Sequence, residues 1–296
     1  MKPAEQGFLL LTSRLGDPNC KCLTVAQFRS LISRVRAAER SDEDRALTLD
    51  DLIAIGCGRD QAERILFLLS RQEQLEYYVN QAKKQDCYPL TRISEDYPGV
   101  LRRRLGNDCP GCLWLKGDSA LLSQPAISLV GSRELRDNNI AFAREAGYQA
   151  AKQGYVLISG NARGADQTAQ NSCLEHGGQV ISIVADSLAE HPRQDGVLYI
   201  SEDGFDMPFS PLRALSRNRL IHAMGAVTLV AQCALETGGT WDGSLQNLRK
   251  GWSALCVYAD GSEGANALLS RGAVPVDLQA LSDLKALTRH KLSLFE

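Results

Sequence analysis

The residues best placed to do chemistry in this chain are glycines set beside arginines. Four short stretches carry them or a related turn: Gly131-Ser132-Arg133, Ser159-Gly160-Asn161-Ala162-Arg163-Gly164-Ala165-Asp166, Ser216-Arg217-Asn218-Arg219 and Thr237-Gly238-Gly239-Thr240. Glycine lets backbone N–H groups approach an oxyanion, a helix N-terminus favours negative charge, and a guanidinium forks onto phosphate oxygens. The pattern points to a phosphate-rich ligand. Other chemistries find less support. No Gly-x-x-x-x-Gly-Lys-Ser/Thr loop or Gly-x-Ser-x-Gly elbow occurs. Asp186, Glu202 and Asp203 stand at strand ends but read as helix caps and loop charges, not as a metal nuclease's paired acids. Cys109-Pro-Gly-Cys112 has the spacing of half a zinc site. No second Cys-x-x-Cys follows, and His176, His191, His222 and His290 are not at ligand spacing, so turn and core cysteines and no metal are expected.

The elements that must position these residues are short apolar runs alternating with helical patterns. Ala126–Val130 stops at Gly131, and Tyr155–Ile158 stops at Ser159-Gly160. Helical segments follow over roughly Asn138–Gln153 and after Asp166. Further strands are expected at Gln179–Ala185, Val197–Glu202, Ala226–Ala231 and Ala254–Tyr258, with helices at Arg213–Met224, from the Thr237–Thr240 turn through Arg249, and near Leu278–Leu287. Continuous apolar strands alternating with helices imply a parallel sheet covered on both faces. Ligands of such sheets bind at the carboxyl ends of the strands.

Residues 1–85 read as a helical domain. Thr24 and Gln27 form a possible capping box, and Val25, Phe28, Leu31, Ile32 and Val35 recur at helical spacing. Ser41–Asp44 is a charged loop. Thr48 caps a short helix through Ile55, and Arg59–Gln85 reads as one long helix with Ala62, Ile65, Leu66, Leu69, Leu75 and Val79 inward. Residues 86–117 form a connector containing Arg102-Arg103-Arg104, either a phosphate contact or a solvated face, and a strand near Leu113–Gly117. Residues 118–296 make up the α/β domain.

The composition narrows the classes. In 296 residues, 44% are hydrophobic, enough for a sizeable core, and the net charge is −2, so any nucleic-acid contact must come from a local basic patch. No apolar run approaches a transmembrane helix, the N-terminus is a poor signal peptide, and nine cysteines in an odd, scattered set suit reduced thiols. A cytoplasmic protein with no membrane partner is the expectation.

Taken in order, Tyr97-Pro98, Gly131–Arg133, Ser159–Asp166, Arg217-Asn218-Arg219 and the Thr237–Gly239 turn resemble the DprA/Smf family of DNA-processing proteins, from Tyr97 to about Val276. The resemblance implies an extended Rossmann-like fold that binds single-stranded DNA without cutting it, needs no cofactor, forms homodimers and helps to load a RecA-type recombinase. Carried over, Gly131, Ser132 and Gly160 would donate to phosphates, with Ser159 and Thr237, Gly238, Gly239 and Thr240 in the same binding set. Arg133, Arg163, Arg217 and Arg219 would supply charge, each with an ion-paired scaffold role as the alternative. Gly164 would permit the turn, Asp166 would orient an arginine or cap a helix, and Asn218 would hold loop geometry or meet a base edge. Tyr199, Phe205, Phe209 and Trp241 are candidates for stacking, or else core. The family's glutamate after the fifth strand is replaced by Gln232, Ala169-Gln170 replace a histidine, and little chain follows Val276 for a winged helix. These departures suit a divergent member, serving phage defence or a toxin–antitoxin pair in place of transformation.

A second resemblance joins Leu52–Ile65 to the helix-hairpin-helix motif, whose Gly-hydrophobic-Gly turn offers N–H groups to a DNA phosphate. Gly56, Gly58 and Arg59 would make that contact, against the nearby charge of Asp60; a tight turn between packed helices is the other reading. Two rival functions remain. Gly239-Thr240-Trp241-Asp242 partly echoes the loop of the LOG phosphoribohydrolases, with Asp242 in the place of the acid that would stabilise an oxocarbenium-like centre. A nucleotide-sensing defence domain would bind free nucleotide and not oligomer.

Overall fold

The computed structural model describes residues 1–38 and 46–289. The charged loop expected at Ser41–Asp44 lies outside them. Two compact units divide the chain: Met1–Tyr97 with Pro110–Trp114 and Glu202–Gly204 form one, and Pro98–Cys109, Leu115–Ser201 and Phe205 onward form the other.

The first unit contains α1 (Pro3–Thr12), α2 (Val25–Ala37), α3 (Leu49–Ala54), α4 (Arg59–Leu69), α5 (Gln72–Lys84) and β1 (Cys87–Thr91). Thr24 and Gln27 close the expected capping box at α2, and Thr48 and Asp51 close another at α3. Leu11, Leu23, Leu31, Leu52, Ala62, Ile65 and Leu68 build its core. On α2 only Leu31 is fully buried, and Val35 is exposed. The long helix expected over Arg59–Gln85 is two helices. The break falls at Ser70-Arg71 because the Arg71 side chain turns inward and donates to carbonyls of Leu10, Ser13 and Leu68. Apolar periodicity carries no record of such a capping arginine, so the sequence read through it.

Residues 86–117, expected as a connector, are shared between the two units and hold α6 (Gly99–Leu105) and β2 (Cys112–Lys116). In the second unit follow β3 (Ala126–Val130), α7 (Asp137–Lys152), β4 (Val156–Ser159), α8 (Ala165–Glu175), β5 (Val180–Ile183), β6 (Val197–Ser201), α9 (Pro211–Met224), β7 (Val227–Val230), α10 (Gly238–Lys250), β8 (Ala254–Tyr258), α11 (Glu263–Leu269), β9 (Val274–Val276) and α12 (Leu284–Arg289). The strands lie in the order β6-β5-β4-β3-β7-β8-β9, each paired parallel to its neighbour. Helices cover both faces, and the fold is Rossmann-like. Strands β3 to β7 are buried almost throughout, as a sheet sandwiched by helices requires. The strand β9 has no counterpart in the sequence reading: it is three residues long with Pro275 at its centre, and such a strand belongs at a sheet edge.

This order fixes where a ligand can sit. From β3 the chain steps through β4 and β5 to β6, then returns to place β7 on the other side of β3. The loops leaving β3 and β7 therefore turn in opposite directions. The crevice they leave, outside the carboxyl ends of the strands, is where doubly wound sheets bind ligands.

Candidate functional site

Two cavities, of about 470 and 530 Å3, open at that crevice. Both are lined by Arg133, Ala162, Phe209 and Arg217, so they form one groove. Gly160 and Arg163 line one end, and Gly131, Ser132, Asp166, Asn218, Thr237, Gly238, Gly239 and Thr240 line the other. The four stretches singled out in the sequence thus meet in one place.

The floor is a buried arginine seated on a glycine. A Cβ at Gly160 would lie 1.5 Å from Nη1 of Arg217, so the guanidinium occupies the space a side chain would need. Nη1 donates to the Ile183 carbonyl at 2.6 Å, while Nε is buried with no hydrogen-bond partner. Asp166, also buried, accepts from the N–H groups of Gly160 (3.1 Å) and Ala162 (3.3 Å). Burial pushes its carboxyl up from the usual range, against the pull of the Arg217 charge and of those two donors. Burial likewise lowers the pKa of Arg217, and Asp166 and Asp186 oppose the shift.

Close backbone contact holds the loops together. Gly164 has φ +89°, and a Cβ there would stand 2.4 Å from the Arg133 carbonyl and 2.5 Å from that of Ser132. The N–H of Ala165 donates to the Ser132 carbonyl at 3.1 Å. Gln232 ties the first loop to β7: its Nε2 donates to the Glu134 carbonyl, and its Oε1 accepts from the N–H of Arg136. Asn218 donates to the Gly239 carbonyl at 3.0 Å and so fixes the Gly-Gly turn to α9.

Several expected donors are already engaged. The N–H and the hydroxyl of Ser132 both donate to the Gln232 carbonyl, the N–H of Gly160 goes to Asp166, and the buried Ser159 hydroxyl goes to the Leu129 carbonyl. These groups shape the loops, and the positive charge of the groove comes from arginine. Arg133 is exposed with no ion-pair partner among the described residues, whereas Arg163 lies 3.3 Å from the exposed Glu134. Arg219 is a correction: it lines neither cavity and donates to the carbonyls of Asp108 and Ser216. Residues two positions apart on a helix are separated by about 200° around its axis, so Arg217 and Arg219 cannot share a face.

Of the stacking candidates, Tyr199, Phe205 and Trp241 are core, and Phe209, 54% exposed, lines both cavities. Asp242 is exposed and lines neither cavity, so the phosphoribohydrolase reading lacks its acid. Arg104, in the second unit, donates to the carbonyls of Ala223 and Gly225 and caps α9. At the hairpin of the first unit, Gly56 has φ +87°, Gly58 caps α4 and Cys57 is buried between them. Arg59 is exposed beside Glu63 at 3.6 Å, and the Gly56 carbonyl accepts from Arg34.

The sequence reading missed Asp186 in the groove and Arg213, which supports its rim. Asp186 lines the groove and accepts from Nε2 of His191 at 2.8 Å, a hydrogen bond that holds its carboxyl below the usual range. Arg213, one turn before Arg217, donates to the carbonyls of Ala185, Met207 and Pro208 and to the Ser201 hydroxyl, fixing the segment that carries Phe209. The four-residue spacing of Arg213 and Arg217 was a usable signal for the shared face. All nine cysteines are free thiols. Among the described residues, no three metal-ligating side chains cluster and no helix is long and apolar enough to cross a membrane.

The family model described as DNA recombination-mediator protein A matches residues 89–285. The chain belongs to that family. The DNA processing protein DprA of Streptococcus pneumoniae is 28% identical over 201 residues, covering 64% of this chain and 67% of that protein. Its Bacillus subtilis counterpart is 24% identical over 282 residues, covering 86% and 93%. Among solved structures, the pneumococcal DprA superposes with a TM-score of 0.69 at 21% identity over 96% of this chain and 98% of that one. Helicobacter pylori DprA, whose structure was described for its single-stranded DNA binding mode, gives 0.58 at 25% identity over 68% and 96%. The match of the family model begins within β1 and runs into α12, so it spans every loop of the groove.

Proposed function

We propose that the groove grips the backbone of single-stranded DNA without cleaving it, and that the protein works as a homodimer that passes the strand to a RecA-type recombinase. The observation that carries the DNA reading is the meeting of Arg133, Arg163 and Arg217 with an exposed Phe209 in one cavity at the switch point of the sheet. Guanidinium groups track phosphates, and an exposed ring accepts any base face, which is the combination sequence-tolerant single-strand binding needs. Against catalysis, the two groove carboxylates are engaged: Asp166 holds backbone N–H groups and Asp186 holds His191. The similarity to DprA proteins supports the same reading.

Fluorescence anisotropy with a labelled oligothymidylate tests it. Two or three phosphate contacts give a log–log salt slope of roughly −1.5 to −2 for a single strand. A single strand should bind at least about tenfold more tightly than a duplex, since a duplex cannot offer a base to Phe209. An affinity independent of salt, or free thymidine monophosphate bound more tightly than the oligomer, would contradict the proposal. Phe209→Ala should cost about 1–3 kcal/mol of binding, the usual worth of one base–aromatic stack; an unchanged affinity would remove the ring from the site. The recombinase step predicts faster filament nucleation on strands already bound by this protein.

A further inference from the structure

The loop between α1 and α2 brings two sulfurs together. Cys20 and Cys22 lie with their Sγ atoms 3.7 Å apart, Cys20 buried and Cys22 half-buried. Beside them sits Arg71, 8% exposed, at the break between α4 and α5. Its guanidinium donates to the carbonyls of Leu10, Ser13 and Leu68 and, at 3.0 Å, to Sγ of Cys20. Among the described residues no carboxylate is within ion-pair distance of Arg71. Of the groups accepting from this buried cation, the sulfur alone can ionise.

We propose that Cys20 and Cys22 form a thiol–disulfide pair, with Cys20 the attacking sulfur and Cys22 the resolving one, oxidised by a hydroperoxide. The hydrogen bond from Arg71 holds a cation against the Cys20 sulfur, where it stabilises the negative charge that passes through that sulfur as it attacks. Burial and the adjacent Cys20 push the Cys22 thiol up to about 11, so it keeps its proton at neutral pH. In the first step the Cys20 sulfur attacks the peroxide; an S–O bond forms, the O–O bond breaks, and the leaving oxygen departs as an alcohol or water with the proton the thiol gives up. In the second step Cys22 attacks the Cys20 sulfur; the S–S bond forms, the S–O bond breaks, and hydroxide leaves as water with the Cys22 proton. Two electrons pass from the sulfurs to the peroxide. The sulfurs must close from 3.7 Å to about 2.05 Å. The loop that carries them has no helical or strand hydrogen bonds to break at Cys20–Cys22. Other cysteines lack this setting: burial pushes Cys173 up to about 11 and Cys233 and Cys256 up to about 12.

Once paired, Cys20 no longer offers Arg71 an ionisable partner, and the arginine's hold on the end of α1 should slacken. The test uses the full chain treated with hydrogen peroxide and digested without reductant. Lys21 is exposed between the two cysteines, so trypsin cuts there and leaves the Cys20 and Cys22 peptides joined only if the disulfide formed. The expected result is that joined pair, about 2 Da lighter than the two reduced peptides together. In Cys22→Ser the expected product is a sulfenic acid on Cys20, trapped by a dimedone reagent. In Cys20→Ser, Cys22 should stay unlabelled. If a variant misfolds, iodoacetamide on the reduced wild type gives the same information: Cys20 should alkylate at least about tenfold faster than Cys57. Separate peptides after oxidation, sulfenic acid on Cys22 in place of Cys20, or equal alkylation of Cys20 and Cys57 would overturn the proposal.

Discussion

Replacing Arg217 with alanine should abolish strand binding and cost about 3–5 kcal/mol of stability, because it strands a buried carboxylate. Arg217 is the cation facing Asp166, and both are almost fully buried. Without it, that charge keeps as favourable partners the N–H donors of Gly160 and Ala162 and the Ser159 hydroxyl. The loss has a pH signature. The folded-state pKa of Asp166, already raised, rises further in Arg217→Ala. A group raised above its unfolded value contributes stability below that value and loses it as pH rises through the folded pKa. The deficit of the variant should therefore be larger at pH 8 than at pH 5, and Asp166→Asn in the same chain should recover part of it. Gly160→Ala provides the companion test. It keeps every charge but places a methyl where the guanidinium lies. Displacing the side chain breaks its bond to Ile183, so about 1–3 kcal/mol of stability should be lost together with most of the binding. Urea unfolding and anisotropy measure both. A fully stable, fully binding Arg217→Ala would show that the arginine is not the keystone of the groove.

Acid should weaken the fold through His222. This ring on α9 has no exposed surface and no hydrogen-bond partner at either nitrogen, and burial pushes its pKa down to about 3. In the unfolded chain it titrates near 6.5. The folded state excludes a proton that the unfolded state takes up, so stability is complete above about pH 6.5 and is lost as pH falls toward 3. At roughly 1.4 kcal/mol per pKa unit, the loss is about 2–3 kcal/mol at pH 4.5 and about 4–5 kcal/mol once His222 protonates. Asp186 and Asp260, whose carboxyls are held below their usual range, also surrender stability in acid. The comparison that isolates the histidine is therefore wild type against His222→Leu. The difference between their unfolding free energies should shift by about 2–3 kcal/mol between pH 7 and pH 4.5 in favour of the variant. An unchanged difference would mean that the ring finds a proton acceptor when charged.

The sheet was legible because its strands are buried on both faces and so appear as unbroken apolar runs; β3 to β8 could all be placed. An edge strand with proline at its centre leaves no such run, and β9 stayed hidden. The convergence of Gly131–Arg133, Ser159–Asp166 and Thr237–Thr240 could be read from their position after strands. What each donor bonds to could not. The hydroxyl of Ser132 and the N–H of Gly160 satisfy a neighbouring carbonyl and carboxylate, partnerships set by residues 100 and 6 positions away. Arg219 was grouped with Arg217 by motif, although helical geometry separates them. Phe209 could not be told from Tyr199, Phe205 and Trp241, since aromatic type alone does not report exposure.

Arg133 and Arg219 provide the most direct test. Both are arginines of the second unit; Arg133 lines the groove without an ion-pair partner among the described residues, and Arg219 lies outside it. Titrating a labelled single strand against Arg133→Ala and Arg219→Ala at several salt concentrations separates a groove from diffuse attraction. Arg133→Ala should bind roughly tenfold more weakly with the salt slope flattened by about 0.7, one phosphate's worth, while Arg219→Ala matches the wild type. Equal losses in the two variants, or none in Arg133→Ala, would contradict a groove built at the carboxyl ends of these strands.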